Sequence, residues 1–413
     1  MMIIRLLIVL VALPLTFYRC DQPAYAGDAS AQNAETLKAL RSVPKLLERN
    51  EKIRNGTEWD QMQNAYVKNR ADYLAGDAEA ALRLAQLFTL EARVTGEHGH
   101  YYPAALQIIN ETLNSDVDEP DVRFRLLTAK AGVQLSQHDF ADALTTAQQA
   151  VAINNRNAAI YGVLADASVE LGDYENAVRY ADKMIQIRPD LRSYARVSYM
   201  REIHGKVDAA IEAMQLAADA GYPGMEDAAW ARLELGQLYQ RYGHPDKARL
   251  EFQRILSERP DYPFAIAALA DLEMESGNLA KAESLLEEAA NAIPEFGFYE
   301  QLAHIYKATD RTAKYQSTWD ELMVMLQDDV DSGHNMNLEY AAIHTDLGDD
   351  PQTGLQYALR EYEKRPANID VNLQLAKIYA ALNQVDLARK HLIDASVTQS
   401  EHPDLVALRK QLD

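Results

Sequence analysis

The strongest constraint on this 413-residue chain is a short mark that returns at nearly constant spacing. Leu171-Gly172-Asp173-Tyr174-Glu175-Asn176-Ala177 has counterparts at Tyr242-Gly243-His244-Pro245-Asp246-Lys247-Ala248 and Ser276-Gly277-Asn278-Leu279-Ala280-Lys281-Ala282. Each is a tight turn followed, five residues after its glycine, by a small residue that opens a new helical face. The marks fall at Ala143, Ala177, Ala210, Ala248, Ala282, Tyr315, Gly354 and Ala388, spaced 34, 33, 38, 34, 33, 39 and 34 residues apart. A period near 34 with helix–turn–helix content predicts stacked helix pairs, none of which can bury its apolar face alone.

The residues between the marks carry a family resemblance. The best unit spans 229–262: Leu235, Gly236 and Tyr239 fall in its first helix, Ala248 and Phe252 in its second, and Pro260 ends it. Tyr161, Leu164, Ala165, Ala177 and Pro189 repeat the pattern in 158–190. Leu269, Ala270, Ala282 and Pro294 repeat it in 263–294, and Leu375, Ala376, Tyr379 and Ala388 in the last unit. This resembles the tetratricopeptide repeat family and, given the leader described below, a secreted bacterial member of it. The resemblance implies an all-α fold, a right-handed superhelical solenoid of antiparallel helix pairs. Arg232 stands where the family often has tryptophan. In 296–328, Tyr315 and Trp319 replace a small residue and a phenylalanine, so looser contact or shifted register is expected there.

Four segments follow: a signal peptide over 1–26, a helical cap over 27–77, an array of about eight to nine units over 78–402, and a capping helix over 403–413. Within the cap, 33–49 and 58–74 read as helices. Two spacings hold extra residues, at 221–224 and near 331–334, which reads as lengthened loops. The 95–100 connection reads as a turn about eight residues longer than standard. His402-Pro403-Asp404 starts the last helix, with Leu405, Leu408 and Leu412 on one side.

At the N-terminus, Arg5 precedes the apolar run Leu6–Leu13. Pro14 breaks that run, and Ala24-Tyr25-Ala26 offers small residues for cleavage. This is the layout of a secretory signal peptide, and the run is shorter than the roughly 20 residues of a membrane span. Export, periplasmic or extracellular, is therefore expected, with no membrane span after cleavage. Cys20 raises a lipoprotein alternative, which Arg19 beside it disfavours.

Composition narrows function further. One cysteine rules out an intramolecular disulfide and a cysteine-rich zinc site. A net charge of −21 without a basic tract disfavours nucleic acid and anionic lipid. Phosphate-binding glycine loops, nucleophile elbows and zincin motifs are missing from the sequence. No catalytic residue, cofactor or metal is assigned, and an enzyme is not expected. Glu97, His98 and His100 form the nearest approach to a metal or hydrolytic site. The acidic pairs Asp328-Asp329 and Asp349-Asp350 lack calcium-loop spacing.

The resemblance implies a concave groove lined by positions 2, 5, 9 and 12 of each repeat. Carried over, these are Arg125, Thr128 and Gly132, then Arg192, Ala195, Tyr199 and Glu202, with Arg196 adjacent. Trp230, Leu233, Gln237 and Gln240 follow, then Phe264, Asp271 and Met274. The later units add Glu300, His304, Lys307, Glu339, Asp346, Asp370 and Lys377. Arg125, Arg192, Arg196, Tyr199, Trp230, Phe264 and Asp271 are the candidate partner-binding residues, since arginine and aromatic side chains anchor bound peptides. The C-terminal half should be the more acidic. Thr128, Gly132, Gly162 and Asp166 occupy sites where some family members clamp a terminal carboxylate, so that clamp is missing from the early units. The expected function is a scaffold or adaptor that binds a protein partner in the groove, in envelope assembly, secretion or polysaccharide export. The alternatives are a tethered lipoprotein assembly factor, or a ligand-binding, metal-binding or hydrolytic protein using the 95–102 loop.

Overall fold

The computed structural model describes residues 42–412, except Asn55 and Asp116. The expected signal peptide, Cys20 and the proposed helix over 33–41 lie outside the described residues. Helix α1 (Gly56–Leu74) precedes nine antiparallel pairs. These are α2 (Ala78–Thr95) with α3 (His98–Leu113), α4 (Pro120–Ser136) with α5 (Phe140–Ile153), and α6 (Ala158–Glu170) with α7 (Tyr174–Ile187). Next come α8 (Leu191–Ile203) with α9 (Val207–Ala220), α10 (Glu226–Arg241) with α11 (Pro245–Glu258), and α12 (Pro263–Glu275) with α13 (Leu279–Ala290). The last three are α14 (Phe296–Ala308) with α15 (Thr312–Asp331), α16 (Asn337–Ala342) with α17 (Pro351–Lys364), and α18 (Ile369–Ala381) with α19 (Val385–Ala395). Helix α20 (Pro403–Leu412) closes the array. Even-numbered helices from α2 to α18 open units one to nine. The structure is the all-α solenoid expected. None of its helices is long and apolar enough to cross a membrane, among the described residues.

The repeating turn has a specific chemistry. At the end of α6, the amide of Gly172 donates to Val169 O at 3.0 Å and that of Asp173 to Ser168 O at 2.8 Å. Gly172 sits in the left-handed region at φ +81°, so two otherwise unpaired carbonyls are satisfied as the chain reverses. Unit two repeats the geometry with His138 (φ +60°), and Asp310 and Asn383 do so later. Across each pair the small residue sets the approach. Ala143, Ala177, Ala210, Ala248, Ala282 and Ala388 are fully buried. At Gly236 a Cβ would fall 2.2 Å from a ring carbon of Phe252, so only glycine admits that crossing.

Units seven and eight accommodate the two large residues differently. Tyr315 reaches into the next unit, where its hydroxyl donates to Leu347 O at 3.0 Å. Beyond α16 the chain continues as a π-helix over Ile343–Leu347, with Gly348 N donating to Ile343 O at 2.8 Å. The wider turn brings Gly348 against Trp319, where a Cβ would stand 2.6 Å from the indole. A π-bulge thus makes room for bulk at the small-residue position.

Three local expectations need correction. Residues 42–49 are not helical. They run as a strap whose Leu47 amide donates to Tyr101 Oη (3.0 Å), while Pro44 O accepts from Tyr66 Oη (2.9 Å) and Arg49 is buried against Glu91. Tertiary partners replace the helical hydrogen bonds there. The 95–102 segment is not a long loop: Gly96 caps α2 at φ +74° and α3 begins at His98. The extra residues near 331–334 extend α15 to 20 residues rather than making a longer loop.

The solenoid also closes on itself. Turns of the early units seat in the borders between later ones, about 195 residues on. Gln137 Nε2 donates to Ser332 O (3.2 Å, separation 195) and Asn335 N to Gln137 O (3.0 Å). Arg365 pairs with Glu170, and Ile369 N donates to Tyr174 Oη at 2.7 Å (both separation 195). Gly96 abuts Pro294, Gly172 abuts Ala367 and Gly205 abuts Gln399. Thus the turn of unit two meets the border of units seven and eight, and that of unit three the border of units eight and nine. The cap joins the same seam through Asn50 with Asn291 O (3.0 Å) and Glu58 with Arg259 (3.4 Å).

Two consequences are measurable by chemical denaturation. Gly236→Ala should cost about 1–3 kcal/mol, because Phe252 cannot retreat without emptying its site. Asparagine tolerates the left-handed region, so Gly243→Asn, with nothing within 4 Å, should change stability by less than about 0.5 kcal/mol. Gly172→Asn, 2.5 Å from the Ala367 backbone, should cost about 1–3 kcal/mol and loosen the seam. Equal effects at Gly172 and Gly243 would contradict the seam.

Candidate binding face

The even helices line the inner face, and their polar side chains are coupled from one unit to the next. Arg125 on α4 donates to Glu79 on α2 at 3.0 Å. Arg196 on α8 grips Asp166 on α6 with both ends of its fork, Nε–Oδ1 at 2.9 Å and Nη2–Oδ2 at 2.6 Å. Gly162 makes that possible, since a Cβ there would stand 3.0 Å from the guanidinium carbon. Arg241 on α10 pairs with Glu202 on α8 at 2.7 Å. Gln240 on α10 donates to Asp271 on α12 at 2.8 Å. Lys307 on α14 reaches Leu347 O and Asp349, both at 2.7 Å. Lys377 on α18 pairs with Asp404 on α20 at 3.0 Å.

The seven candidate residues therefore divide. Arg125 and Arg196 are links of this ladder. Trp230 is 8% exposed and packs in the cluster of Leu191, Ala195, Ala217 and Leu235, between units four and five. Its indole nitrogen is buried without an acceptor among the described residues. Phe264 is half-buried edge-on against Phe298, with centroids 5.7 Å apart. Tyr199 is half-buried beside the cluster of Ala165, Val169 and Met200. Arg192 forms no ion pair among the described residues. Burial pushes its guanidinium down to about 10, against the pull of Asp227 and Asp190. Asp271 leaves Oδ1 buried and unpartnered, and burial raises its carboxyl to about 6, with Glu275 adding to the rise.

Sequence reasoning missed the ladder and the interior crossing. Arg93 of α2, buried by its surroundings, pairs with Glu226 at the start of α10. Unit one thus meets unit five across the inside of the superhelix. The ladder had a sequence signal: opposite charges about one repeat apart on successive first helices, as in Asp166 with Arg196. Arg93 with Glu226 had none, because no local period relates them.

The histidine-bearing segment is structural. His98 stacks on Tyr102 (5.4 Å) and lies 6.2 Å from His334, while His100 Nε2 bonds Lys45 O at 2.8 Å. Burial holds His98, His138 and His334 near 4, which keeps the rings neutral inside the seam. Among the described residues no three histidine, cysteine or carboxylate side chains converge to hold a metal. The inner face offers ion pairing, hydrogen bonding and aromatic surface, which suits recognition.

A tetratricopeptide repeat family profile matches residues 134–198 and 243–303. No curated protein matches the chain in sequence. Among solved structures, the human IFIT1 dimer with PPP-AAAA is similar at 12% identity and TM-score 0.47, covering 84% of this chain and 95% of that one. The Cut9–Hcn1 hetero-tetramer of the APC/C gives 15% identity and TM-score 0.43, with 86% of this chain covering 66% of that one. Pseudomonas aeruginosa pilF gives 15% identity and TM-score 0.40 over 49% of this chain and 91% of that one. The 34-residue marks and the nine helix pairs agree with the profile matches, and the chain carries tetratricopeptide repeats over residues 134–198 and 243–303.

Proposed function

We propose that this protein is an exported scaffold that binds a segment of a protein partner along its inner face, in envelope assembly, secretion or polysaccharide export. The observation that carries this reading is the continuous inner face built by successive even helices. Ladder pairs hold it rigid, while the Trp230 indole nitrogen and Asp271 Oδ1 are buried without a hydrogen-bond partner among the described residues. A rigid, pre-positioned face lowers the ordering cost of binding an extended or helical segment. Export rests on Arg5, the Leu6–Leu13 run and Ala24-Tyr25-Ala26.

Photo-crosslinking in native cells tests both parts. A benzophenone side chain at Gln237, half-buried on the inner face of α10, should capture a discrete partner. One at Asp182, exposed on α7, should not. Capture from Asp182 alone would move the binding site to the outer face. Mass spectrometry of the mature protein should find a start at Gly27. A lipid-modified start at Cys20 would replace the soluble scaffold with a tethered one, and an intact Met1 would remove the cleavable leader.

A further inference from the structure

Most buried carboxylates on the inner face have a cation: Asp166 has Arg196, and Glu202 has Arg241. One run does not. Asp271 and Glu275 in the last turns of α12, Glu300 on α14 and Asp346 in the π-helix after α16 lie on three successive first helices. Asp271 and Glu275 converge on one donor, Gln240 Nε2, at 2.8 and 2.9 Å. Asp346 and Glu300 feel each other's charge. Among the described residues, none of the four forms an ion pair with a lysine or arginine. The nearby lysines bond elsewhere, Lys307 to Asp349 at 2.7 Å and Lys377 to Asp404 at 3.0 Å, with Asp346 feeling the Lys377 charge without bonding it.

A row of acids alone is ordinary surface. Here Asp271 is 6% exposed and its Oδ1 is buried with no hydrogen-bond partner. Such an atom carries a desolvation penalty until a donor reaches it. Asp271, Glu275 and Asp346 also sit near helix C-termini, where the backbone dipole disfavours negative charge and favours a cation. Burial raises the Glu300 carboxyl to about 8, with Asp346 and Glu339 adding to it. His304, one turn on, is held near 4 by burial and supplies no charge.

The seam explains access to this row. In units one to four the turns are covered by later borders, as Gly172 is by Ala367. Among the described residues no later border reaches the turn of unit six. Gly277, beside Glu275, has nothing within 4 Å. The row therefore edges the open rim of the superhelix.

We infer that Asp271, Glu275, Glu300 and Asp346 form the receptor for a lysine- or arginine-bearing segment of the protein partner. This rests on the scaffold reading and names the chemistry that the inner face selects. A basic side chain entering from the rim would donate to Asp271 Oδ1 and neutralise the row, and its charge would steer encounter.

The probe is a fluorescein-labelled ten-residue peptide of alternating lysine and serine, followed by anisotropy with the full-chain protein. Binding should be salt-sensitive, and it should weaken at least about tenfold in a Glu300→Gln/Asp346→Asn variant. A control of equal charge change on the outer face, Asp182→Asn/Glu212→Gln, should shift affinity less than about twofold. Adding Asp271→Asn should weaken binding further, provided helicity and melting temperature hold. Equal losses in the inner and outer variants would reduce the effect to attraction by net charge and overturn the site. So would a wild type that does not bind, or self-association that only the inner variant abolishes. If the Gln237 crosslink captures a partner equally in the Glu300→Gln/Asp346→Asn background, the cationic class is wrong while the scaffold stands. If the peptide behaves as expected and no crosslink forms, the scaffold reading fails and the basic-segment site survives.

Discussion

The architecture depends on the seating of each early turn into a border about 195 residues further along. A helical array held only by neighbour contacts is a spring, and its units can rotate about one another at small cost. The seam removes that freedom. Gly172 and Gly205 bring backbone against backbone where no side chain fits. Around them, Arg365 joins Glu170 to Glu361 in a buried network, and Asn368 Nδ2 closes onto Glu170 O at 3.0 Å. A buried ion pair adds little net stability over an apolar contact, but it specifies register, because breaking either partner strands a charge.

The inner face follows from that closure. Once the superhelix is fixed, side chains from successive first helices meet at set distances, and complementary charges form a ladder. The ladder holds most of the acids and several of the arginines. What remains without an ion pair among the described residues is uneven: Arg192 in the middle, and Asp271, Glu275, Glu300 and Asp346 further along. The same geometry that covers the early turns leaves the unit-six turn at Gly277 uncovered among the described residues.

The repeat was legible in the sequence because its determinants are local. Leu235, Gly236, Tyr239, Ala248, Phe252 and Pro260 all act within one helix pair, and their offsets recur. The bulk at Tyr315 and Trp319 pointed to unit seven, whereas the irregularity, a π-helix closed by Gly348, lies in the next unit and could not be read from unit seven alone. The seam was illegible for a different reason. Gln137 and Ser332 meet only after the small rotation per unit has accumulated over more than five units. The histidines at 98 and 100 looked like loop ligands because the helix start at His98 depends on Gly96 seating against Pro294. Among the candidate site residues, sequence placed Arg125, Arg196 and Asp271 on the inner face but could not show that the first two are paired there.

Small-angle scattering on the full chain tests the closed superhelix most directly, comparing wild type with Gly172→Asn. Closure predicts a compact particle, with a radius of gyration approaching the roughly 22 Å of a globular chain of this length. It also predicts a clear expansion in the variant with helicity retained. An elongated wild-type profile that the substitution leaves unchanged would contradict the seam, and with it the division between covered and open turns.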